Sequence, residues 1–198
     1  MKAVAFCGSP RKGGNTEMML DRCAAVLAEE RIETEVVLLA ERKIEPCTAC
    51  ALCKESKDLR CSQADDDFHQ CFEKMLEADV ILVGSPVYFG SATPETMALL
   101  DRAGYVARAN GNPLSRKVGG PVTVARRAGQ NFTLAQLAYW FLINDMVVPG
   151  STYWNVAFGK DRGDVEGDEE GLATLDRFAR NAAWVAKRLA GEGEQVRR

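Results

Sequence analysis

The chain has 198 residues, 46% hydrophobic and 27% charged, enough for one sizeable core and an insertion. Its 25 basic and 28 acidic residues give a formal charge of -3 with no extended basic stripe, which argues against nucleic acid or an anionic membrane as a partner. The N-terminal MKAVAFCGSP has one Lys and an apolar run too short for a signal peptide, and no later run approaches the ~20 residues of a membrane span, so a cytoplasmic location is expected. Thiols are reduced in that compartment, and an odd count of seven cysteines cannot all pair internally, so no disulfide framework is expected.

KAVAFC (Lys2 to Cys7) is a β-forming run ending at Gly8, and the segment after Gly13 and Gly14 carries Met19, Cys23, Val26 and Leu27 at helical spacing. TEVVLL (Thr34 to Leu39) and DVILVG (Asp79 to Gly84) are nearly continuous apolar runs, the pattern of strands buried on both faces of a parallel sheet. In TPETMALLDRAG, Thr93 can cap a helix with Pro94 at its first position. KVGGPVTVA (Lys117 to Ala125) reads as a fourth strand, weakened by its glycines and Pro121. FTLAQLAYWFLIN is apolar all round, so both faces of that helix are expected to be covered, by the sheet or by another subunit. MVVP (Met146 to Pro149) is the expected fifth strand. Leu172, Leu175, Phe178, Ala179, Ala182, Val185, Ala186 and Leu189 form the stripe of a last helix, and GEGEQVRR (residues 191–198) reads as a flexible tail. The alternation predicts an α/β fold: one domain over residues 1–190, a doubly wound five-stranded parallel sheet with a cysteine-rich insertion at about 42–65, and ligands beyond the carboxyl ends of the strands.

The loops after the strands carry the chemistry. GSPRKGGNT (Gly8 to Thr16) sets small residues and cations at a helix N-terminus, a cradle for one terminal phosphate: hydroxyls from Ser9 and Thr16, the Asn15 amide, close approach at Gly14, and charge from Arg11 or Lys12. It is neither a Walker loop, which needs Lys at position 14, nor GxGxxG, since position 10 is Pro; a Gly-rich turn with a capped helix is the plain alternative. In GSPVYFG (Gly84 to Gly90), Pro86, Val87, Tyr88, Phe89 and Gly90 can supply the close backbone and aromatic wall that a flat ring system needs; an aromatic pair packing the core is the alternative.

GSPRKGGNT resembles the FMN-phosphate loop of the flavodoxin-like NAD(P)H-dependent FMN reductases, and GSPVYFG resembles that family's second flavin loop. ARRAGQN (Ala125 to Asn131) takes the place of the third, involving Ala125, Arg126, Arg127 and Gly129; the two arginines could face the flavin edge or the phosphate of NADPH, or simply be solvated. The resemblance implies strand order 2-1-3-4-5, bound FMN, and NAD(P)H as a possible cosubstrate.

Four of the seven cysteines fall in CTACALCKESKDLRC (Cys47 to Cys61), spaced C-x2-C-x2-C-x7-C. Compact CxxCxxC runs suit iron-sulfur ligation, whereas structural zinc more often uses two separated CxxC pairs; zinc, redox thiols and an empty site stay open on spacing alone. The segment resembles the cysteine motif of the iron-sulfur flavoproteins, as do the acidic pair after the fourth cysteine and MVVPGSTYW (Met146 to Trp154). That resemblance implies that Cys47, Cys50, Cys53 and Cys61 ligate a [4Fe-4S] cluster beside FMN. It also implies electron exchange between a donor such as ferredoxin and a small-molecule acceptor, in a homodimer or homotetramer, with no side chain needed as acid or base. Two alternatives are an NAD(P)H-dependent FMN or quinone reductase without a cluster, and a non-enzymatic electron carrier or redox sensor. Cys7, Cys23 and Cys71 sit in apolar patterns and read as core. His69, the single histidine, reads as structural, and GKDRGDVEGDEEG (Gly159 to Gly171) as a solvated loop able to close over a flavin.

Overall fold

A computed structural model describes residues 1–192. The parallel strands β1 (Lys2–Cys7), β2 (Glu33–Leu38), β3 (Val80–Pro86), β4 (Val118–Ala125) and β5 (Val156–Phe158) lie in the order β2-β1-β3-β4-β5. The helices are α1 (Asn15–Glu29), α2 (Leu52–Ser56), α3 (Phe68–Glu77), α4 (Pro94–Ala109), α5 (Gln130–Ile143) and α6 (Glu169–Glu192). Residues alternate along the central strands between two cores, as the period of a strand requires. Ala3, Ala5, Cys7 and Leu82 face α1 and α6, while Val4, Phe6, Ile81 and Val83 face α3, α4 and α5. The sequence-expected tail falls largely on residues 193–198, outside the described residues; Gly191 and Glu192 still belong to α6.

The glycines of β4 seat aromatic rings from opposite sides. A Cβ on Gly119 would run into the Phe141 ring of α5, and one on Gly120 into the Phe178 ring of α6. Pro121 explains a departure from the expected fifth strand. Beyond β4, Val147 makes only an isolated bridge to Val118, the chain then loops away, and the strand proper starts at Val156 opposite Thr123. On that side Gly119 N donates to Val147 O and Thr123 N donates to Asn155 O, both at 3.0 Å. Between them stands Pro121, which has no N–H to offer. The edge is therefore split, and MVVP is not the strand.

One further expectation is corrected. Thr93 occupies the position before α4, but its hydroxyl donates to Gly8 O (2.8 Å) and meets Thr96 Oγ1 (2.8 Å), so it ties the first loop to α4 and caps nothing. On α5, Leu137, Trp140 and Phe141 are buried, whereas Phe132, Tyr139, Leu142 and Ile143 are exposed. The sheet covers one face of this helix, and no described residue covers the other, the face left to another subunit in the expectation above.

Candidate functional site

At the carboxyl ends of the strands lies a cleft of about 330 Å³ lined by Ser9, Arg11, Gly14, Asn15 and Thr16 of the first loop, Pro86, Val87 and Tyr88 of the second, and Val124 and Arg126 of the third. Gly159, Lys160, Asp161 and Arg162, the loop after β5, close it. Ser9 and Thr16 are buried, and no side chain caps α1, whose first turn leaves its backbone N–H groups to an outside acceptor. Arg11, Arg126, Lys160 and Arg162 make the surroundings cationic. A phosphate monoester fits this donor set, and the apolar wall from Pro86 to Tyr88 fits a flat ring.

Asn15 has a role that its place in the motif did not suggest. Its Nδ2 donates to Asp161 O (2.9 Å), and its Oδ1 accepts from Gly163 N (2.9 Å), so this residue hangs the last loop on the start of α1. Arg11 Nη1 adds a bond to Lys160 O (3.3 Å). Lys12 turns away to an exposed ion pair with Glu41 (2.7 Å). Tyr88 and Ser91 bond to one another's backbone across a turn with Phe89 at φ +53° and Gly90 at φ +80°, and the Phe89 ring is fully exposed at its tip. Phe89, Gly90, Ala125, Arg127 and Gly129 do not line the cleft. Gly129, at φ +91°, starts α5 and lies against Val87, so it shapes the second loop from behind.

The loop after β5, expected as a solvated loop able to close over a flavin, does line the cleft; what the sequence reading missed is its place at a strand end, because the fifth strand was expected some ten residues early. With β5 at Val156–Phe158, the rule that ligands sit beyond strand ends leads directly to Gly159.

Cys47, Cys50, Cys53 and Cys61 all line a second, separate cavity of about 120 Å³, with Ser62, Gln63, Arg102 and Tyr105 among its other walls. The insertion that bears them is irregular. Ala49, Ala51, Lys57 and Leu59 all have left-handed backbones, each costing on the order of 1 kcal/mol for a residue with a Cβ. It is held at the neck by carboxylates. Lys43 N donates to Asp67 Oδ2 (2.8 Å), Asp67 N returns a bond to Lys43 O (2.8 Å), and Glu45 N donates to Asp66 Oδ2 (2.9 Å). Asn110, just past α4, accepts from Leu59 N (3.0 Å). His69 Nε2 lies 3.0 Å from Cys61 O and so supports the loop from behind.

The thiols are electrostatically unlike. Cys50 Sγ is 3.2 Å from Ser62 Oγ, and that hydroxyl, with backbone N–H groups nearby, holds the Cys50 pKa below its ordinary value. Burial, and then the negative charge of Cys61 and Cys50, pushes Cys53 up. Thiolates crowded this way oppose one another until a cation neutralises them, which is the donor chemistry of an iron-sulfur site. Among the described residues no group of three or more His, Cys, Asp or Glu converges as a metal ion would need. Cys7, Cys23 and Cys71 are buried core residues, and burial raises their pKa values to about 11, 12 and 11.

Comparison with known proteins bears on both sites. Residues 1–161 match the family model of the NADPH-dependent FMN reductases. The chain is 38% identical to an iron-sulfur flavoprotein of Methanocaldococcus jannaschii, covering 94% of this chain and 98% of that one. It is 34% identical to the iron-sulfur flavoprotein of Methanosarcina thermophila, covering 91% and 92%. Among solved structures, RosB with bound 8-demethyl-8-formylriboflavin-5'-phosphate superposes with a TM-score of 0.77 at 21% identity, covering 96% of this chain and 81% of that one. The NAD(P)H:acceptor oxidoreductase FerB of Paracoccus denitrificans gives 0.68 at 16%, covering 94% and 97%. No described helix is long and apolar enough to cross a membrane. The chain is a flavin-dependent oxidoreductase of the flavodoxin-like NADPH-dependent FMN reductase family and belongs to its iron-sulfur flavoproteins.

Proposed function

We propose that this protein moves electrons between a reduced donor, ferredoxin or NAD(P)H, and a small-molecule acceptor, using FMN in the strand-end cleft and a [4Fe-4S] cluster held by Cys47, Cys50, Cys53 and Cys61. The observation that carries the reading is that all four cysteines of the motif line one cavity in a chain whose strand ends already form a phosphate- and ring-binding cleft. FMN, when bound, takes electrons in pairs and gives them singly, and an iron-sulfur cluster exchanges them one at a time. The protein's own part is to hold and tune. Ser9, Thr16 and the first amides of α1 receive the phosphate, Arg11, Arg126 and Arg162 balance its charge, and Pro86, Val87 and Tyr88 wall the ring.

The uncovered face of α5, with exposed Phe132, Tyr139, Leu142 and Ile143, supports assembly as a homodimer or homotetramer. Anaerobic purification should yield about one FMN with about four irons and four sulfides per chain, the composition of a [4Fe-4S] centre. Stoichiometric zinc without sulfide would overturn the cluster. Flavin bleaching by NAD(P)H in cluster-free protein, as fast as in the full protein, would favour a plain FMN or quinone reductase, the activity in the name of a 28% identical NAD(P)H dehydrogenase (quinone) of Trichlorobacter lovleyi that covers 64% of this chain.

A further inference from the structure

Arg102 stands on the inner face of α4 between buried Leu99, Ala103 and Val106, and its side chain has no exposed surface. An apolar residue would suit such a position. Instead the guanidinium enters the neck of the cysteine insertion. Nη1 donates to Glu45 O (3.1 Å) and to Asp66 Oδ2, and Nη2 donates to Gln63 O (2.8 Å) and to Asp66 Oδ1 (3.3 Å). The ring of Phe68 lies under it, 4.2 Å from Cζ to centroid. Those four bonds use four of the five N–H donors of an arginine. The fifth, on Nε, is buried and has no oxygen or nitrogen partner among the described residues, with the Cys61 sulfur nearby.

A buried donor on a charged group is costly to leave unmade. Yet the same side chain forms part of the wall of the cavity lined by the four cysteines, and it is the one arginine there. The other cation of that cavity is Lys54, whose Nζ rests 5.7 Å from the centroid of the Tyr105 ring. Burial works against the charge of Arg102, but Asp66 and the adjacent Cys61 sulfur outweigh it and keep the pKa of the guanidinium above its ordinary value.

We propose that Arg102 is a positioning residue for the cluster of the cysteine site, closing the insertion through Nη1 and Nη2 while Nε–H and its fixed charge serve the sulfur held in the cavity. This rests on the iron-sulfur reading above. An N–H donor and a permanent cation beside cluster sulfur stabilise the more negative, reduced state, so Arg102 raises the reduction potential of the centre and makes it easier to reduce. Lysine would keep the charge and lose the fork.

The test uses the full chain, prepared anaerobically with 15N-labelled arginine. Pulsed EPR of the reduced wild-type protein is expected to show a 15N coupling and an exchangeable-proton coupling that are both lost in Arg102→Gln. Arg102→Gln with full FMN content and wild-type circular dichroism is expected to have a more negative midpoint potential, and Arg102→Lys an intermediate one. Absence of the 15N coupling in the wild type, or an unchanged potential in folded Arg102→Gln, overturns the role of Arg102 and leaves the cluster assignment standing. Wild-type protein that binds FMN but takes up no iron and sulfide on reconstitution overturns the cluster assignment, and this role with it. Should Arg102→Gln fail to fold, the wild-type couplings still decide the matter.

Discussion

The two cavities are made in opposite ways. The strand-end cleft is a product of topology: parallel strands stop together, their loops turn outward, and an uncapped helix presents backbone donors, so much of the site is main chain. The cysteine cavity owes little to regular structure. It depends on named side chains, namely four thiols, a carboxylate neck at Asp66 and Asp67, a buried arginine, and left-handed residues at Ala49, Ala51, Lys57 and Leu59. A site built from backbone tolerates many sequences, whereas one built from side chains fails when a single partner is lost.

That contrast can be broken or sharpened by substitution. Cys50→Ser should give the largest change, complete loss of iron and sulfide with FMN content retained; loss of both cofactors would mean that the two sites stand or fall together. Asp66→Ala comes next. It strands the buried charge of Arg102 and should cost about 3–5 kcal/mol in denaturant unfolding. Burial opposes the charge of Asp66, but Arg102 and the N–H groups of Glu45 and Phe68 outweigh it and hold its pKa below the ordinary 3.8. The stability it contributes is therefore present above pH 3.8 and lost as pH falls through its lower folded value, so the acid limb of wild-type unfolding should flatten in Asp66→Asn. Asn15→Ala, which frees the loop after β5 from α1, should weaken FMN binding roughly tenfold, on the scale of two lost hydrogen bonds, as read by flavin fluorescence titration. Lys12→Ala should be the smallest, changing FMN affinity by about twofold or less, because an exposed lysine paired with Glu41 is already screened.

The same contrast governs what the sequence made legible. The first four strands, the first flavin loop and the four cysteines could be read, because each is written in a local run or a spacing; the strand order came with the family resemblance and not from any run. The split edge beyond β4 could not be read from MVVP alone, since its cause is the missing N–H of Pro121, some twenty-five residues earlier in the chain. Misplacing that strand kept Gly159 to Arg162 from being read as a strand-end loop, although a loop able to close over a flavin was expected there. Arg102 was passed over because a single cation inside TMALLDRAG looks like an ordinary helix charge. The signal was there all the same: Arg102 shares the helix face of Leu99, Ala103 and Val106, the buried one, and three aspartates, Asp65 to Asp67, follow Cys61. Phe89, expected as part of the flavin wall, stands instead at the tip of a tight turn whose direction depends on two positive φ angles that composition does not reveal.

The tied neck at residues 43–45 and 66–67 has a consequence for engineering. The two ends of the cysteine segment meet at this neck, so β2 and α3 are held together there, while the middle of the segment leans on Asn110, His69 and the α4 residues Arg102 and Tyr105. A shortened chain joining Glu45 to Asp66 through a brief turn keeps both anchoring carboxylates, and it offers a direct route to a flavin domain stripped of its cysteine centre.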